Sequence, residues 1–208
     1  MFGITWILLV SPYWPDAITF IMVLSIGEIL KDEIYFFLAN ALIAPIYITW
    51  SIAFSDLVLK ERSKKKFITI MAFLAIIFEV IFLSLLITDL SLIGTRMGPF
   101  YVKWTDFVVF YLLFSIAIFL ITGILFVRKS LRSENKEIKL KGKFLMIAFL
   151  TFAIGTIIDA LGIVTELTLV LARTFVIIGA VNFYIGFTLP KLVKDLFLKE
   201  EQVLISFL

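Results

Sequence analysis

The chain has no cysteine and no histidine among its 208 residues. Without cysteine there is no disulfide, no thiolate nucleophile and no thiolate metal ligand. Without histidine there is no imidazole base and no imidazole ligand for zinc or haem. The missing cysteine says nothing about redox compartment, because nothing is present to oxidise. Gly-x-Ser-x-Gly, Walker and nucleotide-binding glycine patterns are absent as well. No lysine lies inside the last apolar stretch, so the Schiff base of a retinal protein is missing, and Asp159 is the one deep aspartate, short of the pair an intramembrane protease needs. Scattered carboxylates, lysines, arginines, tyrosines, hydroxyls and amides remain. The expectation is a protein that is not an enzyme, with no cofactor and no metal.

What is abundant is hydrocarbon. Hydrophobic residues make up 62% of the chain and its mean hydropathy is +1.12, more than a water-soluble fold hides. Six apolar stretches follow one another: A at 2–27, B at 34–59, C at 67–88, D at 104–127, E at 144–163 and F at 167–189. A crossing needs about 20 mainly apolar residues. Runs of this length are not strands, and the alternation of a membrane barrel is lacking. The fold class read from the sequence is all-α, a bundle of six membrane helices over 1–190, followed by a juxtamembrane amphipathic tail, 191–208.

Segment A is interrupted by Ser11-Pro12-Tyr13-Trp14-Pro15-Asp16. Two prolines and Asp16 bend a helix or end it. The preferred reading is one bent span; the alternative is a half-helix followed by a re-entrant or interfacial turn. Backbone groups freed by the break must find protein or water, so the site faces protein. No basic leader or cleavage site precedes A, which reads as an insertion signal in its own right.

Orientation follows from the cations. Of 19 Lys and Arg, 15 lie in Lys60–Lys66, in Arg128–Lys143 and after Pro190. These segments are expected to be cytoplasmic. Glu28, Asp32, Glu33, Asp89, Asp106 and Glu166, against Lys31, Arg96 and Lys103, mark the opposite face. The net charge of +3 is thereby explained as one-sided anchoring; no solvated basic domain exists to bind nucleic acid. The C–D loop, with Gly94, Gly98-Pro99, Tyr101 and Trp104, combines turn formers with interfacial aromatics and is expected to be ordered. In the tail, Leu192, Val193, Leu196 and Phe197 share a helical face beside lysines, the pattern of a short helix on the inner leaflet; the alternative is the stub of a helix leading to a partner, and the anchor is preferred.

Ionisable groups inside apolar spans carry a default functional hypothesis. Glu79 is the thirteenth residue of C, near the midplane. It reads either as a proton- or ligand-responsive carboxyl or as a structural group bonded to a neighbouring helix, with Ser115 of D the suggested partner. Asp159 near the outer end of E and Arg173 near the outer start of F reach similar depth, since the E–F connection is short. A salt bridge is expected, acting as a staple or as the polar floor of an outward-facing pocket; the staple is preferred. Asp56, one turn from Lys60, reaches the inner surface. Ala153, Gly155 and Ala160 on E, with Ala172, Gly179, Ala180 and Gly186 on F, allow close backbone approach. Asn40 and Asn182 add interhelical hydrogen-bonding capacity.

At Ser11–Phe20, at Pro45-Ile46-Tyr47-Ile48-Thr49-Trp50-Ser51-Ile52-Ala53-Phe54-Ser55-Asp56 and at Lys139-Leu140-Lys141-Gly142-Lys143-Phe144-Leu145, the chain resembles a group of uncharacterised archaeal polytopic membrane proteins. The resemblance is one of general character and implies no activity. It implies a seven-helix module with one more helix before A; here Met1 abuts A, so the chain departs from that pattern, and whether a first helix is missing stays open. The architecture is also loosely similar to the seven-helix sensor regions that precede histidine kinases. The expected function is a receptor-like or sensory membrane module with a cytoplasmic signalling partner. The alternatives are a small proton-coupled transporter using Glu79 and an accessory subunit held by other membrane subunits. Membrane lipid is a partner in every case.

Overall fold

In the computed structural model the described residues are 2–162 and 165–206, without the side chains of Phe2, Glu166 and 199–206. Ile163, the expected last residue of E, the outer-face carboxylate of Glu166 and the end of the tail at Phe207 and Leu208 thus lie outside them. The protein is an all-α chain with six helices long and apolar enough to cross a membrane: Gly3–Ile26, Asp32–Val58, Glu61–Thr88, Asp106–Leu131, Lys136–Ala160 and Leu167–Thr188. It forms two compact units, Met1–Tyr111 and Leu112–Leu208.

In the first unit, A consists of α1 (Phe2–Leu9), a 3-10 turn (Ser11–Tyr13) and α2 (Trp14–Ile26). Val10 and Tyr13 stay in the right-handed helical region, so the prolines interrupt the hydrogen-bond ladder without reversing the chain. Segment B is also broken, which the sequence reading missed. It consists of α3 (Asp32–Asn40) and α4 (Ile43–Val58). The cause is Pro45, which has no N–H for the carbonyl of Ala41 and whose ring crowds that carbonyl. The two spans pair in order, with α2 and the 3-10 turn against α3 and α1 against α4. An antiparallel pair matched along its length fits one bent span and not a segment that turns back halfway. Gly27, at φ 73°, ends α2 in the left-handed conformation that glycine adopts without a Cβ clash.

Helix α5 (Glu61–Thr88) has 28 residues, about 42 Å at 1.5 Å per residue, against a hydrocarbon core of about 30 Å. Its first turns carry the basic run, which is therefore helix and not loop. After it, β1 (Gly94–Gly98) and β2 (Tyr101–Trp104) pair as an antiparallel hairpin, Thr95 opposite Lys103 and Arg96 opposite Val102. The ordered loop expected here is this hairpin, its strands too short for a period to be read. Buried Phe36 meets Trp104, and Phe78 stacks on Phe82, Phe107 and Tyr111. Trp50, buried and stacked on Phe54, belongs to this core.

Helix α6 (Asp106–Leu131) leads into the second unit, which contains α7 (Lys136–Ala160), α8 (Glu166–Thr188) and α9 (Lys191–Ser206). The side chain of Asn135 caps α7 by accepting from the amides of Glu137 and Ile138, so the helix starts within the basic stretch read as a connection. α7 and α8 pack backbone to backbone. A Cβ on Gly155 would lie 2.7 Å from the Ala172 carbonyl oxygen, and one on Gly179 2.9 Å from Phe152 Cβ. Ala153, Ala160 and Ala172 are buried, whereas Ala180 is exposed and takes no part. Phe119, Phe149, Phe152 and Phe183 form the aromatic core of this unit. The tail helix α9 is held to α7 by the Lys194–Glu137 ion pair and an edge contact of Phe144 with Phe197, 5.6 Å between ring centres. Leu192, Leu196 and Phe197 remain exposed.

Candidate functional site

The densest polar constellation gathers at the end of the first unit where α2, α3 and the hairpin meet, and its centre is Arg96. The antiparallel register turns this side chain from β1 toward the α2–α3 corner, where it is 6% exposed. Its Nε donates to the Gly98 carbonyl at 3.2 Å. One terminal nitrogen donates to the Leu30 carbonyl and, at 3.2 Å, to Asp32 Oδ1; the other donates to the Pro99 carbonyl at 2.7 Å and to Thr19 Oγ1 at 3.5 Å. A guanidinium has five N–H donors, and all of them are occupied. The Tyr35 ring lies 4.4 Å from the guanidinium carbon, and Tyr35 Oη donates to Asp16 Oδ1. Asp16, a secondary polar candidate in the sequence as well as a helix breaker, thus anchors the tyrosine on which the arginine rests. A cation with no donor left is a clasp, closing the hairpin over the α2–α3 corner, and not a ligand grip.

Glu79 occupies the middle of α5, half-buried, with Phe78 buried on one side and Val80 exposed on the other. Its Oε2 is buried and has no hydrogen-bond partner among the described residues. Ser115, the partner suggested for it, stands on α6 in the second unit. A carboxyl oxygen buried without a partner costs free energy, which makes Glu79 the residue whose place packing explains least.

Asp159 and Arg173 do pair, Oδ2 to Nη1 at 3.2 Å, each side chain a little over one quarter exposed. α7 ends at Ala160, so Asp159 stands in its last turn, nearer the helix end than the apolar run suggests. The arginine also lies by the α7 carbonyl terminus, where positive charge is favoured. This is a staple between α7 and α8. Asp56 pairs with Lys64 of α5 and not with Lys60.

The asparagines do not bridge helices in the expected way. Asn182 donates to the Ile178 carbonyl of its own helix at 2.8 Å, and Asn40 to that of Phe36 at 3.1 Å. Asn40 is 1% exposed and Ser11 0%, yet Asn40 Oδ1 and Ser11 Oγ have no hydrogen-bond partner among the described residues. The sequence reading missed Arg96, Tyr35, Thr19 and Ser11 as members of polar sites. A signal existed for the first: Arg96 is a rare cation on a face rich in acids, with Asp32 opposite. Among the described residues no group of three or more acidic residues is arranged to hold a metal ion. Comparison with protein families, with curated proteins and with solved structures finds no match.

Proposed function

We propose that the chain is a receptor-like or sensory membrane module that binds a small or lipophilic ligand between helices and acts through a separate cytoplasmic partner. The observation that carries this reading is the suspension of α9 from a stiff helix pair. Glycine-mediated contact packs α7 and α8 backbone to backbone, with the Asp159–Arg173 staple at one end and α9 fastened near the other. A displacement at the stapled end reaches α9 as a lever movement. Leu192 and Leu196 of α9 are exposed, and their face suits a partner helix or the inner leaflet. The basic ends of α5, α7 and α9 belong on the cytoplasmic side by the cation rule. The resemblance to archaeal polytopic proteins and the loose architectural similarity to kinase-linked sensor regions are part of the same proposal.

A photocross-linker placed at Leu192 in native membranes tests it. The expected result is one cytoplasmic protein captured from intact cells and released when Glu137→Lys frees α9. Adducts with lipid alone would contradict a signalling role for the tail.

The unpartnered Glu79 oxygen favours a second reading, a small proton-coupled transporter in which that carboxyl exchanges a proton. Proton-driven uptake into proteoliposomes, abolished by Glu79→Gln, would support it; flux unchanged by the substitution would remove Glu79 from that role.

A further inference from the structure

The two helix breaks of the first unit meet each other. The 3-10 turn packs on α3 and α1 packs on α4, so the junction of α1 with the turn lies against the junction of α3 with α4. Prolines set the chemistry of both junctions. Pro12 has no N–H for the Leu8 carbonyl, and Pro45 none for the Ala41 carbonyl. Ser11 stands at the first junction and Asn40 at the second, and their side-chain oxygens, Oγ and Oδ1, are on residues almost wholly buried and are unpartnered among the described residues. The Asn40 amide nitrogen is turned to the Phe36 carbonyl, which leaves the oxygen as the free end of the amide.

This set is made of oxygens, and its one donor is the Ser11 hydroxyl. An excess of acceptors repels an anion and calls for positive charge. Neither span supplies it, because residues 2–26 and 32–58 contain no Lys or Arg. Arg96 has no donor to spare. Neutral hard oxygens without a carboxylate, imidazole or thiolate suit a singly charged ion better than a divalent or soft one. Asp16, one turn beyond Pro12 and bound by Tyr35, adds negative potential without joining the set. Broken membrane helices present freed carbonyls to monovalent cations in this manner.

We propose that the crossing of the two breaks is a binding site for a dehydrated monovalent cation, Na⁺ in the first instance, held by the Leu8 and Ala41 carbonyls, Asn40 Oδ1 and Ser11 Oγ. The site is independent of the sensory reading and is a property of the first unit alone.

The test is the unfolding temperature of the purified full chain in detergent, titrated with NaCl and, at equal ionic strength, with choline chloride. A saturable rise with Na⁺ alone is expected. Asn40→Ala and Ser11→Ala should each weaken the apparent Na⁺ affinity by about tenfold or more, while Asn182→Ala leaves it unchanged. Should Asn40→Ala fail to fold, Asn40→Asp must tighten Na⁺ binding. Coincident curves in the two salts, a Na⁺ response untouched by Ser11→Ala, or an affinity unaltered in Asn40→Asp would overturn the proposal and leave these oxygens to an ordered water.

Discussion

Arg96 distributes its donors between the hairpin it belongs to and the α2–α3 corner, so no other side chain replaces it. Lysine carries the charge but has three donors and no planar fork. Arg96→Lys and Arg96→Ala should both lower stability, the alanine variant by about 2–3 kcal/mol because buried acceptors lose a charged donor. Limited proteolysis should then cut between residues 94 and 104, and an uncut hairpin in the alanine variant would contradict the clasp. Asp89, outside the spans, lends itself to a test by pH. The Ser91 hydroxyl and amide both bond its carboxylate and hold it below its ordinary value of 3.8. A depressed folded value means that the contribution is complete above 3.8 and is lost as pH falls through the lower folded value. Exchange protection of the Ser91 amide should therefore be flat at neutral pH and fall away only in acid, and Asp89→Asn should remove the dependence. The Asp159–Arg173 pair was legible in the sequence because a short connection forces adjacent depths. Of the Arg96 clasp only the pairing with Asp32 left a trace, a rare cation on an acidic face; its other acceptors are mostly backbone carbonyls, on which side-chain identity leaves no mark.

At the scale of elements, prolines and glycines explain what apolar periodicity leaves open. Pro12 and Pro15 announced a break in the first span, whereas Pro45 was passed over because the residues around it are continuously apolar. Helix ends were misplaced by one to two turns where lysines continue an α-helix past the hydrocarbon, since Lys is a good helix former and Asn135 supplies a cap. The small residues of α7 and α8 were legible as packing positions, and their ranking is a matter of what each faces. Gly155→Ala sets a Cβ against a backbone carbonyl that cannot swing aside, so about 1–3 kcal/mol should be lost. Gly3→Ala, with nothing within 4 Å of the added Cβ, should be neutral within about 0.5 kcal/mol. Unfolding in detergent distinguishes them, and equal effects would contradict the close approach of α7 to α8.

For the whole molecule, six apolar stretches gave six helices because a hydrocarbon core leaves little choice: backbone groups crossing it must be satisfied within the segment. Partners and ligands are not constrained in that way, so the sequence leaves them open. Much of the exposed surface is large and apolar, including Leu24, Ile87 and Phe110, as a lipid-facing surface requires. Which ends of the helices meet the cytoplasm rests on cation placement. With no native cysteine, single cysteines at Lys65, Met97 and Lys136 give a clean reading with a membrane-impermeant maleimide on intact cells. Labelling at Met97 alone, with Lys65 and Lys136 reacting only after permeabilisation, is the expected result. Labelling of Lys65 and Lys136 from opposite sides would contradict the arrangement of the spans and the sites placed along them.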